Sequence, residues 1–183
     1  MKKLVVIVGV VLAAVFISPN FVGSAVETKY MEILERFKQH PSVEITDVTF
    51  ERSWFSGVST SKIKLKGIPE FDTFAISATE ALSFGPVILS DDGLKFALAS
   101  STVEFSIDGL PEEKELDAIL NKLKAASNLT SEITYGFDYI TKLTIDEITH
   151  EQDSNSLTFH KLDSEILLAD EKVYIGFINW AGL

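Results

Sequence analysis

From residue 43 onward, apolar and polar side chains alternate in run after run, and only paired strands give each residue of such a run a settled face. Residues 62–66 set Ile63 and Leu65 between Lys62, Lys64 and Lys66. Phe74, Ile76, Ala78, Leu82 and Phe84 share one face of the next run. Residues 85–99 read as a hairpin turning at Asp91-Asp92-Gly93, because aspartate and glycine suit tight turns. Val103, Phe105 and Ile107 then alternate on a shifted register, with Ser100-Ser101 as a bulge or turn before them. Ile133, Tyr135, Phe137 and Tyr139 open a further strand, and "KLTIDEITH", "SLTFHKLDSEILLA" and "KVYIGFINWAGL" continue the pattern. The last of these has a pairing strand's composition with nothing after it, which predicts an edge strand or the front part of something longer.

Two stretches follow helical spacing instead. Val26, Tyr30, Ile33, Leu34 and Phe37 predict an amphipathic helix over residues 25–39, ended by His40-Pro41 because the residue before proline avoids the helical region. Pro111 suits a first helical position, Glu112 and Glu113 suit the positive end of the helix dipole, and Leu116, Ile119, Leu120 and Leu123 form a stripe. Strands and helices do not alternate as in parallel sheets. The expected fold is α+β: a mainly antiparallel, curved β-sheet with an N-terminal membrane helix, an amphipathic helix and one further helix.

The N-terminus decides where this sheet resides. Lys2 and Lys3 precede a stretch without charge up to Glu27, and residues 4–17 are strictly apolar. As a helix those residues span about 21 Å, short for a hydrocarbon core of about 30 Å, and they suit a signal peptide with Gly23 and Ala25 near the cleavage site. Continued through Ser18-Pro19-Asn20 into Phe21 and Val22, the same segment makes an uncleaved anchor. Ser24 and Glu27 have the spacing of a capping box, which cleavage would remove. Both readings export the remainder of the chain, with the lysines left in the cytoplasm. The division expected is residues 1–24 as signal anchor or signal peptide and residues 25–183 as one exported β-rich domain.

The net charge is -11, all the acidic residues lie from Glu27 onward, and there is no cysteine. An acidic surface repels phosphate backbones, so no nucleic-acid partner is expected. Thiol nucleophiles, thiolate zinc sites and iron–sulfur clusters are excluded by composition. Ser59-Thr60-Ser61-Lys62 has the form of a serine-x-x-lysine motif, but it opens a strand rather than a helix and lacks a lysine-threonine-glycine partner. His150 and His160 could face each other across a hairpin at residues 151–156, yet two imidazoles fall short of a zinc site. Asp91-Asp92-Gly93 lacks the spacing of a calcium loop, and Asp146 and Glu147 point to opposite strand faces. No cofactor, metal ligand or catalytic set is expected. Lys62, Lys64 and Lys66 share a strand face, either as contacts to an anionic lipid or acidic partner or as guards of an exposed edge.

The most pointed stretch is "TFERSWFSGVSTSKIKL", residues 49–65, with Phe50, Arg52, Trp54, Phe55 and Gly57. In a plain strand Trp54 and Phe55 would face opposite ways. A turn or bulge before Gly57, with glycine in a left-handed conformation, would let both rings pack inward as a corner, while Arg52 covers a ring or pairs with a carboxylate. An aromatic ligand platform is the functional alternative. The stretch resembles the signature of the YdgA-like family of bacterial envelope proteins, whose function is unknown. "ALSFGPVIL", with Gly85 and Pro86, is similar to a second family segment in which Phe84 stands where histidine is common. "PNFVGSAVETKY" and "NWAGL" resemble two further elements. The resemblance implies an uncleaved inner-membrane anchor with a periplasmic β-rich body, and it implies no catalytic residues.

The expected protein is thus a single-pass inner-membrane protein whose periplasmic domain binds a lipid or an envelope protein without catalysis. The alternatives are an envelope hydrolase with a non-obvious site, using Ser59, His150 or His160, and a self-associating scaffold that pairs through residues 173–183.

Overall fold

The structure, a computed structural model, describes residues 2–67, 74–90, 93–110, 114–152, 155–169 and 172–182; for residues 2–16, 114–115, 151–152, 155 and 157 it describes the backbone alone. Helix α1 (Lys2–Lys38) comes first, followed by strands β1 (Val43–Arg52), β2 (Ser56–Leu65) and β3 (Ala75–Phe84). A small hairpin, β4 (Ile88–Ser90) and β5 (Gly93–Lys95), precedes β6 (Ala99–Asp108), and helix α2 (Lys114–Ala126) leads straight into β7 (Ser127–Ile133). After β8 (Tyr139–Ile145), a second hairpin of β9 (Ile148–Gln152) and β10 (Asn155–Phe159) leads to β11 (Leu162–Ala169) and β12 (Lys172–Trp180). The main sheet has eight strands in the order β1-β2-β3-β6-β7-β8-β11-β12, every pair antiparallel. This is the expected α+β class and the expected curved, antiparallel sheet.

Two expectations are corrected at the N-terminus. The anticipated break between an anchor and an amphipathic helix is absent: α1 runs through both, with Pro19 inside it. Ser24 caps nothing, and instead the Thr28 hydroxyl donates to the Ser24 carbonyl at 3.0 Å, one helical turn back. Among the described residues no helix is long and apolar enough to cross a membrane. The side chains of residues 4–16, on which the anchor expectation rests, lie outside the described residues.

Three more corrections concern the sheet and α2. Ser100 and Ser101 make no bulge; β6 is continuous, and Ser101 keeps the register of Val103, Phe105 and Ile107 because its hydroxyl finds the Glu80 carboxyl. The run from Ile133 to Tyr139 is interrupted by a turn in which the Thr134 hydroxyl accepts from the N–H groups of Gly136 and Asp138, both at 3.2 Å. In α2, Leu116, Leu120 and Leu123 face apolar hollows beside the sheet, whereas Ile119 is exposed. Pro111 to Glu113, the anticipated start of that helix, lie outside the described residues, as do Asp91 and Asp92 of the first hairpin.

The tightest packing lies where α1 crosses the end of the sheet nearest the β1–β2 turn. Val26, Leu82, Phe84, Ala99 and Ile133 form a buried cluster, with Val22, Phe50 and Tyr139 against it. Phe84 is wedged between two glycines: a Cβ built on Gly23 of α1 or on Gly57 of β2 would lie 2.9 Å from its ring. Both glycines are therefore required by close approach, helix to ring on one side and strand to ring on the other.

Candidate functional site

Arg52 latches α1 to this packed end. Its Nε donates to Glu27 Oε2 at 3.0 Å, and a terminal nitrogen donates to the Asn20 carbonyl at 3.1 Å and to Asn20 Oδ1 at 2.9 Å. The carboxylate partner expected for Arg52 is thus present. Phe50 stacks at a tilt on Tyr30 with ring centroids 5.5 Å apart. Gly85, at φ +147, passes close to Pro19 of α1, and the Pro86 carbonyl accepts a hydrogen bond from the Tyr135 hydroxyl.

Trp54 and Phe55 do not pack inward. They remain 51% and 48% exposed at the β1–β2 turn, where the ring that packs against Gly57 is that of Phe84. Gly57 is not among the residues with positive φ; it is needed for the Phe84 ring, not for a left-handed corner. Lys62 pairs with Asp108 at 2.9 Å and Lys66 with Glu44 at 3.7 Å, while Lys64 stands opposite Glu44 in the β1–β2 ladder. The Lys62 ammonium and the Ser77 hydroxyl hold the Asp108 carboxyl below its ordinary range.

The serine and histidines do not assemble into a catalytic set. Ser59 is buried and donates to the Thr49 carbonyl at 3.1 Å, and Lys62, three residues along a strand, lies on the other face. Strands β9 and β10 pair antiparallel as expected, but His150 stands opposite Leu157, and His160 turns away to Glu147 Oε2 at 2.8 Å. Among the described residues no group of three or more metal-ligating side chains occurs.

The feature that sequence reasoning missed lies on the sheet's inner face. Beyond the buried cluster, α1 and α2 leave part of that face uncovered as a groove of about 560 Å³. Ile33, Leu34 and Phe37 of α1 form one wall, and Val103, Leu129 and Leu143 lie on the strands beneath. A second hollow of about 250 Å³, running towards Leu116 and Leu120 of α2, shares Ile63 and Ile76 with it. The walls are aliphatic and aromatic, and the polar lining is confined to the Tyr30 and Tyr139 hydroxyls, Ser61, Glu80, Ser127, Ser131 and Thr141.

Cross-strand register explains that polar patch. Ser59, Glu80 and Val103 stand opposite one another across β2, β3 and β6, and Leu82, Ser101, Ser131 and Thr141 do so across β3, β6, β7 and β8. Glu80 is 5% exposed and accepts hydrogen bonds from the Ser101 hydroxyl and, at 3.1 Å, from the Tyr139 hydroxyl. Tyr30 reaches the same carboxyl and Ser59. Hydrogen-bonded polar groups of this kind hold a sheet in one register, since any slip would bury them unpaired. The signal was present in the sequence: among positions 74, 76, 78, 80, 82 and 84, all on one face, only 80 is polar.

Burial, with the Glu80 carboxylate as the second cause, raises the Tyr30 and Tyr139 hydroxyls above the ordinary tyrosine value of 10.0. A group whose folded pKa is raised stabilises the fold fully below its unfolded pKa and less as pH climbs towards the folded value. Stability should therefore hold up to about pH 10 and then fall by as much as about 1.4 kcal/mol per pH unit for each of the two tyrosines. Denaturant titrations across that range check this, and Tyr139→Phe should flatten the slope.

A curved antiparallel sheet crossed by one helix, with an aliphatic groove over a small polar floor, defines an α+β domain. The chain belongs to the family described as "Bacterial protein of unknown function (DUF945)", which matches residues 1–183. No curated protein and no solved structure matches it.

Proposed function

We propose that this is a membrane-anchored module of the bacterial envelope, with its sheet in the periplasm, whose groove cradles the hydrocarbon chain of a lipid. The observation that carries the reading is the groove itself. Its volume falls in the range of ligand sites, about 300–1,000 Å³, and its lining is apolar with a few convergent polar groups. Strands β2, β3, β6, β7 and β8, which form most of its floor, each have a neighbour on both sides, so an extended peptide could join a ladder only at the edge strand β1, beside Val43 and Ile45. An aliphatic chain needs no such ladder. The uncharged segment before Glu27 supports the anchor, and it would keep the groove close to a supply of lipid.

Cells fed a fatty acid carrying a photoreactive group in its tail test this. After irradiation, cross-links should map to β7 and β8, at Leu129 and Leu143. Cross-links confined to the first twenty or so residues of α1, the length a bilayer would surround, would show that the groove holds no lipid.

A second reading has its own observation. All nine residues of β12 are exposed, and because its register shifts at Gly176 this edge strand carries Val173, Ile175, Ile178 and Trp180 on one face and Tyr174 and Phe177 on the other. An open apolar edge is a template for another strand. If a second copy pairs there, Ile175→Lys should lower the molecular mass in solution; an unchanged monomer in both forms removes this reading.

A further inference from the structure

We propose that the end of the sheet where α1 passes Pro19 is a second membrane contact, a collar of exposed aromatic and aliphatic side chains that sits in the lipid headgroup layer. The inference rests on the membrane anchoring proposed above and adds a surface to it. The β1–β2 turn presents Trp54 and Phe55, the β4–β5 hairpin presents Leu89 and Leu94, and the β7–β8 turn presents Tyr135 and Phe137, all between 41% and 81% exposed. Backbone and side-chain bonds tie these segments into one surface. The Phe84 N–H donates to the Phe55 carbonyl at 2.7 Å, and Tyr135 reaches Pro86 beside Gly85, which in turn abuts Pro19. On α1 itself Phe21 is 70% exposed at this level.

Scattered exposed apolar residues are ordinary; this distribution is one-sided. Among the described residues of 53–56, 85–90, 93–98 and 134–138, only Lys95 and Asp138 are charged. The connections at the opposite end carry His40, Lys66, Asp146, Glu147, His160 and Lys161. Asp91, Asp92, Asp170 and Glu171, which fall between strands of the collar's end, lie outside the described residues.

Phe137 adds an independent argument. It has φ +64, a left-handed conformation that costs a bulky residue energy and that glycine or asparagine would adopt freely. A ring left 41% exposed at such a position recovers from the fold only part of what full burial would give. Tryptophan, tyrosine and phenylalanine at the boundary between water and lipid gain, because the apolar part of each ring leaves water while polar tips stay hydrated. Continuity with the uncharged stretch of α1 identifies the occupant as the bilayer into which that stretch leads, not a soluble partner.

The chain has two tryptophans, and they report on opposite ends: Trp54 in the collar, Trp180 at the far end of β12. The experiment uses the full chain in vesicles containing lipids brominated near the headgroup. In W180F, Trp54 should lose most of its emission to the bromines. In W54F, Trp180 should keep most of its emission. A chain that floats with the vesicles while Trp54 is quenched no more than Trp180 overturns the collar and leaves anchoring intact. A chain that does not float overturns anchoring, and the collar with it; the cross-linking map judges the groove separately. Phe137→Asn should raise stability towards denaturant while reducing Trp54 quenching, and a loss of stability would show that the ring serves the fold instead.

Discussion

Phe84→Ala should cost about 4 kcal/mol of folding stability, within the usual span of about 3–5 for a buried phenylalanine and a large share of the roughly 5–15 that holds a domain together. Phe84 is 4% exposed and belongs to the cluster that joins α1 to the sheet. The spread of such costs depends on whether the neighbours collapse into the void. Here two of the positions that close on the ring are glycines, Gly23 and Gly57, which have no side chains to move into it. A reciprocal test is available. Gly57→Ala alone should destabilise by about 1–3 kcal/mol through overpacking, because its Cβ meets the ring. In the Phe84→Ala background the same methyl should fill space and recover part of the loss. That reversal of sign, read from denaturant midpoints of the four variants, is the mark of direct contact. Simple addition of the two costs would show that the ring and the glycine do not share the wedge.

Ala78→Trp should abolish most lipid retention while leaving the fold nearly as stable as before. Ala78 lies on the groove floor beneath α1, between Ser61 of β2 and Phe105 of β6. An indole there occupies space that is already open, so it meets little of the resistance of a packed core. Removing about 60 Å² of apolar contact from a bound chain costs it about 1.5 kcal/mol, roughly a tenfold drop in occupancy. Thr79→Trp is the control, since the next residue of a strand points to the other face. Photo-cross-linking yields for the two variants decide the matter: equal yields mean that the hydrocarbon chain lies elsewhere.

The alternating runs made the antiparallel sheet legible, since a period of two fits nothing else. The helical spacing of Tyr30, Ile33, Leu34 and Phe37 likewise identified the face of α1 that meets the sheet. Boundaries were harder. Thr134 to Asp138 looks like strand because aromatic residues at alternate positions outweigh a turn built on one hydroxyl and one glycine. Large rings usually go to the core, which is where the Trp54-Phe55 pair is expected, yet the ring that packs against Gly57 comes from Phe84 on another strand. Glu80 is easily passed over because a lone polar residue in an apolar run carries no meaning until its cross-strand neighbours are known.

By itself, the sequence determined the period and composition of the strands, both of which depend on residues close together in the chain. Those properties specify a curved, antiparallel α+β domain behind an uncharged N-terminal stretch. Only the tertiary structure decided that one helix would run unbroken across the sheet, that Phe84 would be held between glycines on two elements, and that Glu80 would meet Tyr30, Tyr139 and Ser101. Each of these joins residues far apart in the chain, and packing settles them because the inner face of the sheet can be covered in more than one way. Here α1 and α2 cover it incompletely, and the uncovered part is the groove.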